Sequence, residues 1–562
     1  MESAPPSYQT ATSSDVWSLV APYLTSNELC NASVVSRGWH RIFTAQLWSR
    51  PTSYFGLEYN DVLDHLARFQ RTLDFARQEV RSFTFCLHLL PHEAVYFDDR
   101  PADWLKRLIE LLPNLQALIV TGVSFFDHAA CQVLRVSDHA YSTSSKEGAR
   151  AEPSDSGHRV PRPISTSTSY GLRLLDASRC SNLTSTSLAA ALTRFVSLLY
   201  LDLSYTRAAR SSAVFEACQH LYTLKLLKLR AVQLKDGDLS QLSAVMGRRL
   251  CYLDVRDNEL TTKAADLLQD CFADEPDESN LDMLEDEQLD RRIYAAYQRD
   301  AVNHLTVEDI SDGLAQLHIS GNELDEIALS KLLHRPSLRV LDIGRLSRLS
   351  SSSLLRAHML RSRLTYLRVD HHMVMPMDAQ PRLRPGSWPG IRKLVLTDVP
   401  THSTNDQLAN ALIAFVHACA DEAAKAMNLA QQDYAIPLDR SQTSAIQQST
   451  RSIFALESIV LEMSPAPSDL QSRNSSLTED QDSEALWSAG ESDFSFFRDG
   501  QVSPNEHIAI SLKRTKAHVD NLALLSAFRS QRKAAYDRAV PGDQLHSVDG
   551  YWPGIIRIER PD

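Results

Sequence analysis

L-R-L-L-D-A from Leu172, L-L-Y-L-D-L from Leu198, L-K-L-L-K-L from Leu224 and L-C-Y-L-D-V from Leu250 repeat one phrase at intervals of 26 residues. Apolar side chains hold its first, fourth and sixth places. The last two of these are two residues apart, the spacing at which side chains of an extended strand share a face. If Leu201 and Leu203 point inward, Tyr200, Asp202 and Ser204 point the other way. The phrase returns at Leu314, Leu338, Leu364, Ile391 and Leu456, the first four spaced by 24, 26 and 27 residues. Weaker copies are V-R-S-F-T-F at Val80 and L-Q-A-L-I-V at Leu115.

About eleven units of this length fall in the class of 20 to 29 residue leucine-rich repeats. Each reads as a short strand, a turn and a helical return such as S-L-A-A-A-L-T-R-F at 187–195. A single unit cannot bury its own leucines, so stacking is required, which lines the strands up along a concave face. The expected fold is α/β: a leucine-rich-repeat solenoid, or horseshoe, over 80–463. The turn R-C-S-N-L-T after the strand at Leu172 resembles the cysteine-bearing repeat type, which makes Cys180 a core or ladder residue rather than a reactive thiol.

Size and charge agree. A chain of 562 residues exceeds one ordinary core, so several domains or a solenoid are required. A net charge of -12 disfavours nucleic acid and anionic membranes as partners. The eight cysteines stand singly, without the CxxC pairs of zinc sites, and imply reduced, mostly buried thiols. No stretch approaches the roughly 20 apolar residues of a membrane span. The expectation is a cytoplasmic or nuclear protein.

Before the repeats, residues 1–12 are polar and read as a disordered N-terminus, followed by a dense apolar block over 13–50. Val16, Trp17, Val20 and Leu24 form the stripe of a short helix, kinked by Pro22. Thr25 and Glu28 have capping-box spacing and start a second helix near Ser26. A third carries Trp39, Ile42, Phe43, Leu47 and Trp48. Three short helices bury too little surface for independent stability and want a partner.

D-V-W-S-L-V-A-P-Y-L, then N-E-L-C-N-A-S-V-V-S-R-G-W-H-R-I-F and a closing L-W, resemble the F-box, with Thr12-Ser13 where that family has Leu-Pro. The resemblance implies a three-helix F-box preceding the repeats. It further implies docking on a Skp-family adaptor, and through it a cullin-RING scaffold, by Val16, Val20, Leu24, Leu29, Val34, Val35, Trp39 and Trp48. An unknown substrate protein would lie on the repeat face, and the chain would be a non-catalytic receptor of a ubiquitin ligase. The alternative is a leucine-rich-repeat scaffold whose F-box-like segment serves no ligase.

The solenoid carries insertions near 136–169 (Ser/Thr-rich), 270–313 (acidic) and 420–450 (helical). The acidic one is a solvated loop, a docking site for a basic partner or a self-masking flap over the groove. A Ser- and acid-rich linker follows at 464–503, then a C-terminal helix and short strand at 504–562. Phosphate loops, HExxH, GxSxG and EF-hand spacings are absent, so no cofactor and no catalytic residue is expected. Asp370, His371 and His372 lie at a strand end, where successive residues face opposite ways, which argues for ordinary exposed histidines and no metal. The candidate groove residues are Tyr200, Asp202, Tyr252, Asp254, Arg256, Tyr366 and Arg368, of the aromatic and arginine type that dominates binding hot spots. L-D-L is also a common repeat phrase with a solvated Asp.

Overall fold

Leucines at the first, fourth and sixth places are buried only when the next unit covers them, and the computed structural model has the units paired in parallel. It describes residues 16–54, 59–89, 103–134, 169–273, 289, 293–294, 312–347, 362–377, 380–381, 383–403, 405–431, 440–464, 519–539 and 552–559. The expected tail 1–12, nearly all of the insertion 136–169, most of 270–313 and nearly all of the linker 464–503 lie outside the described residues. The chain divides into two compact units, Met1–Asp342 and Ile343–Asp562, so the boundary falls inside the stretch expected as one solenoid.

In the first unit, strands β1 (Cys86–His88), β2 (Ala117–Ile119), β3 (Leu174–Asp176), β4 (Tyr200–Asp202), β5 (Leu226–Lys228), β6 (Tyr252–Asp254), β7 (Gln316–His318) and the start of β8 (Val340–Gly344) pair in parallel, each with the next. Return helices include Ser185–Leu192, Ser212–Cys218, Asp236–Met246 and Glu326–Leu333. Leu198, Leu201, Leu203, Leu224, Leu227, Leu250, Leu253 and Val255 are all buried. Each contributes about 1.5–3 kcal/mol relative to exposure. Tyr252 of β6 faces Gln316 of β7 in the register used elsewhere, so the acidic insertion between them does not interrupt the ladder.

Each unit turns at a fixed place. Arg179, Tyr205, Ala231, Asp257 and Gly321 stand at the eighth place of their phrases with φ of 58, 61, 53, 56 and 73°. The ninth place then points inward. Asn258 there accepts from the N–H groups of Val232 (3.1 Å) and Leu234 (2.9 Å) and donates to the carbonyls of Leu229, Val255 and Arg256. Asn322 accepts from Leu260 N–H (3.0 Å). Thr206 donates to Ala177 O and accepts from Cys180 N–H, while the Cys180 thiol donates to Val120 O. Turn backbone that would be stranded in the core is thereby satisfied.

The first repeat is shifted from its expected place. Residues Gln78–Arg81 form a helical turn, and the strand pairs Leu87 with Leu118, so the phrase starts at Thr84 and not at Val80. Thr84 takes a leucine's place because its hydroxyl donates to Trp48 O at 2.7 Å.

Ahead of it lie α1 (Val16–Val20), α2 (Ser26–Ser33) and α3 (Arg37–Ser49). The Thr25–Glu28 capping box forms as its spacing predicts, with Glu28 Oε2 accepting from Thr25 N–H at 2.8 Å. Ser36 caps α3 through Trp39 N–H. Ala21, Leu29 and Phe43 make the small core of these helices. Helix α4 (Tyr59–Phe75), to which no sequence expectation was attached, follows.

The second unit places β9 (Tyr366–Asp370), β10 (Lys393–Pro400), β11 (Ser458–Ser464) and β12 (Ile555–Glu559) side by side in parallel. The C-terminal strand expected beyond the solenoid is therefore part of a sheet. Two helices, Gln407–Gln431 and Arg440–Ile453, fill the excursion expected near 420–450, and a third spans Asn521–Ala539. Buried Asn521 donates to Pro400 O, and the Trp552 indole N–H donates to Leu456 O at 3.0 Å, tying the C-terminal elements to the sheet.

Candidate functional site

The three N-terminal helices leave large apolar side chains in water. Val34 is 82% exposed, Tyr23 88%, and Val16, Leu19, Trp17 and Val35 are exposed too. Isolated exposed apolar residues are ordinary, but these six fall within 16–35: Val16, Trp17 and Leu19 on α1, Tyr23 in the 3-10 turn after it, and Val34 and Val35 in the turn between α2 and α3. Of the residues expected to touch an adaptor, Val16, Val34 and Val35 lie on this surface, and Val20, Leu24 and Trp39 are half-buried beside it. Leu29 is not: it is 0% exposed and packs in the small core with Ala21 and Phe43. Trp48 is half-buried and stacks on Phe69 of α4, with ring centroids 5.8 Å apart, so it belongs to the junction with the repeats. Trp17, Leu19 and Tyr23 were missed. The helical spacing that identified the inward stripe did not show how little the neighbouring elements cover.

On the repeat strands, alternation places the third and fifth residues of each phrase on the face opposite the leucine core. The strand registers align Asp176, Asp202, Lys228, Asp254, His318 and Asp342 in one row. Beside it runs a second row, Leu174, Tyr200, Leu226, Tyr252 and Gln316. Tyr200, Asp202, Tyr252, Asp254 and Arg256 are thus on the expected face, but the first four are buried. Their cover includes the chain's own Leu289 and Ile293, which form one apolar cluster with Leu174, Tyr200, Leu226 and Tyr252, and Tyr294, which packs against it. The Tyr294 hydroxyl donates to Asp176 Oδ2 at 2.8 Å.

The row's charges are mutually engaged. Lys228 Nζ lies 5.9 and 5.4 Å from the ring centroids of Tyr200 and Tyr252. Arg256 clamps Asp254 through Nε and Nη2, at 3.0 and 2.6 Å, and its Nη1 lies 4.0 Å from Asp342. His318 Nδ1 is 3.6 Å from Asp342 Oδ2. Burial, reinforced by neighbouring Asp176 and opposed by Lys228, pushes the Asp202 carboxyl well above the usual carboxylate range. Asp176, Lys228, His318 and Tyr294 escaped the sequence reading, whereas Asp342 follows from the same strand register as Asp202 and Asp254. The first three occupy the same fifth place as Asp202, so the signal was present in the phrase.

In the second unit, Arg368 and Glu462 pair across the strands at 2.7 Å, and Lys393 Nζ stands 5.6 Å from the Tyr366 ring centroid. Both Tyr366 and Arg368 are half-buried. The strand stops at Asp370, and His371–Met373 is a 3-10 turn, so strand alternation does not apply there. His371, expected to be exposed, is 5% exposed and its Nδ1–H donates to Thr397 O at 3.0 Å. Exposed His372 donates from Nδ1 to Asp370 Oδ1 at 2.7 Å. Burial, then His372, lowers the His371 pKa. Burial disfavours ionisation of Asp370, but the hydrogen bonds from His372 outweigh it and lower its pKa. Among the described residues these three, with one ligand atom each within 4.8 Å of one another, are the group that could hold a metal ion. In the structure the hydrogen bonds occupy both Nδ1 atoms.

Burial pushes the Cys180 thiol up to about 12, which keeps it a neutral ladder group. Cys30 alone among the cysteines is exposed. No helix among the described residues is long and apolar enough to cross a membrane.

No family model matches this chain, and no curated protein matches it. Among solved structures it is similar to an internalin from Listeria monocytogenes, at 11% identity, over 72% of this chain and 90% of that one, with a TM-score of 0.29. A likeness that slight carries no argument. The parallel α/β repeat architecture stands on this chain's own strand registers and ladder hydrogen bonds.

Proposed function

We propose that this chain works by binding other proteins and not by catalysis, as a leucine-rich-repeat interaction scaffold. The observation that carries the reading is the water-exposed apolar set on α1 and in the turns that join α1 to α3, headed by Val34 and Tyr23, beside a core of three buried residues. So small a core with so much apolar surface outside it is suited to a protein partner. The repeat strands carry a second array of the aromatic and charged side chains from which hot spots are made, covered in this structure by Leu289, Ile293 and Tyr294.

The finer reading is a substrate receptor of a Skp-cullin-F-box ubiquitin ligase. Its support is the F-box pattern in the sequence together with the exposure of Val16, Val34 and Val35, three of the positions that pattern assigns to adaptor contact. In that role α1 to α3 dock on a Skp-family adaptor and the repeat face holds the substrate. Ubiquitin is transferred by other subunits, and this chain contributes effective concentration and orientation.

Co-purification of the full chain with a Skp-family adaptor tests this, with Val34→Asp/Val35→Asp as the matched variant. Both valines are exposed, so the fold tolerates the change, while a docked interface loses on the order of 100-fold or more in affinity through two buried charges. A stoichiometric complex that the variant abolishes supports the receptor. A folded wild-type chain that forms none leaves the scaffold without a ligase role.

A further inference from the structure

We propose that the open face of the repeat strands is a site for a helical peptide presenting two aliphatic side chains four residues apart and a tyrosine beside the second, and that Leu289, Ile293 and Tyr294 hold this site in cis. The inference rests on the partner-binding reading of the repeats and names the class of partner.

Three observations carry it. Leu289, Ile293 and Tyr294 have helical backbone; a spacing of four is that of one helix face for Leu289 and Ile293, and Tyr294, one residue on, stands at the flank of that face. That face meets the third-place row: Leu289 and Ile293 are buried in one cluster with Leu174, Tyr200, Leu226 and Tyr252. Tyr294 packs its ring 6.2 Å from that of Tyr200 and reaches Asp176 with its hydroxyl, as a peptide side chain anchored in a polar row would. Second, these residues lie outside the strand ladder, because β6 pairs directly with β7 across the insertion. They are an addition to a finished face. The segment is further fastened by an ion pair from buried Lys225 to Asp312 at its far end.

Third, the fit is incomplete. Gln316 Oε1 and His318 Nε2, on the two rows beside the occupied stretch, are buried and have no hydrogen-bond partner. The cis segment satisfies Asp176 but not these two. A partner helix that repeats the aliphatic pair and tyrosine, and adds donors opposite Gln316 and His318, makes every contact the cis segment makes and two more. Tethering gives the chain's own segment a high effective concentration, so a partner displaces it only through those extra contacts. The open face is thereby closed to weaker apolar helices.

The test uses the full chain and a fluorescein-labelled synthetic peptide of residues 285–299, read by fluorescence anisotropy. Wild type, with its site filled, should bind the peptide poorly. Leu289→Asp/Ile293→Asp should expel the cis segment and bind at least tenfold more tightly, and a peptide carrying the same two aspartates should not bind. Ile293→Ala/Tyr294→Phe, which removes one methyl-rich contact and the hydroxyl without adding charge, should give an intermediate gain and serves if the aspartate pair unfolds the chain. Folded variants that bind the peptide no better than wild type overturn the proposal, as does equal tight binding by wild type. Adaptor co-purification reads α1 to α3 alone, so failure here is distinguishable from failure of the receptor reading.

Discussion

Replacing Asn258 by alanine should destabilise the first unit by roughly 3–5 kcal/mol. The side chain is buried and engages five backbone groups, accepting from two N–H groups and sharing its two amide hydrogens among three carbonyls. Its loss strands the N–H groups of Val232 and Leu234, at about 1–3 kcal/mol each. The carbonyls lose less, since Val255 O still accepts from Asn322 at 2.9 Å. Alanine also leaves a small void among turn backbones that cannot close together, because each is fixed by its strand. Urea unfolding followed by circular dichroism gives the cost, provided the m-value is unchanged. Asn322→Ala is the internal comparison: Asn322 accepts from a single N–H, that of Leu260, so the cost should be about half. A loss below about 1 kcal/mol for Asn258→Ala, or equal losses for the two, would refute the claim that the ninth-place side chain sustains the turn.

Gly321→Ala should cost about 2–4 kcal/mol, because its φ of 73° is left-handed and a Cβ would collide with Asp257 Oδ1 and stand 3.0 Å from Asp257 N. Ala231→Gly, at the equivalent turn with φ 53°, should instead stabilise slightly or leave the transition unchanged, both read by thermal melts. Asp202 holds its proton up to about 7 in the folded chain against 3.8 as a free side chain. Its contribution is therefore complete below 3.8 and lost as pH rises through about 7, so Asp202→Asn should gain stability over wild type between pH 5 and pH 8 in urea titrations. Arg368→Ala should cost about 1 kcal/mol and the effect should shrink in salt, since the pair with Glu462 is about a quarter exposed on both sides; a double-mutant cycle isolates it.

The repeats were legible because one phrase recurs at a fixed period, and from Leu172 to Leu364 the strands lie on the quoted phrases. The first unit was misplaced by four residues because Thr84, a polar residue, sits where a leucine was sought and is satisfied by Trp48 O. The ladder was harder to see, since Cys180, Thr206, Val232, Asn258 and Asn322 fill one place with four chemistries. Alternation assigned Tyr200 and Tyr252 to the correct face, yet nothing local says what covers a face: Tyr294 lies 118 residues from the Asp176 it meets. The same distance problem hid Glu462 from Arg368, 94 residues earlier. At Asp370 the strand pattern was extended one residue too far, and His371 turned inward instead of staying in water.

Hydrogen–deuterium exchange on the full chain, with and without a Skp-family adaptor, tests most directly whether the N-terminal helices are a docking surface. The account predicts protection concentrated in α1 to α3, including the turn at Val34 and Val35, with the amides of β3 to β7 unchanged. Protection absent from α1 to α3, or confined to the repeat strands, would contradict it.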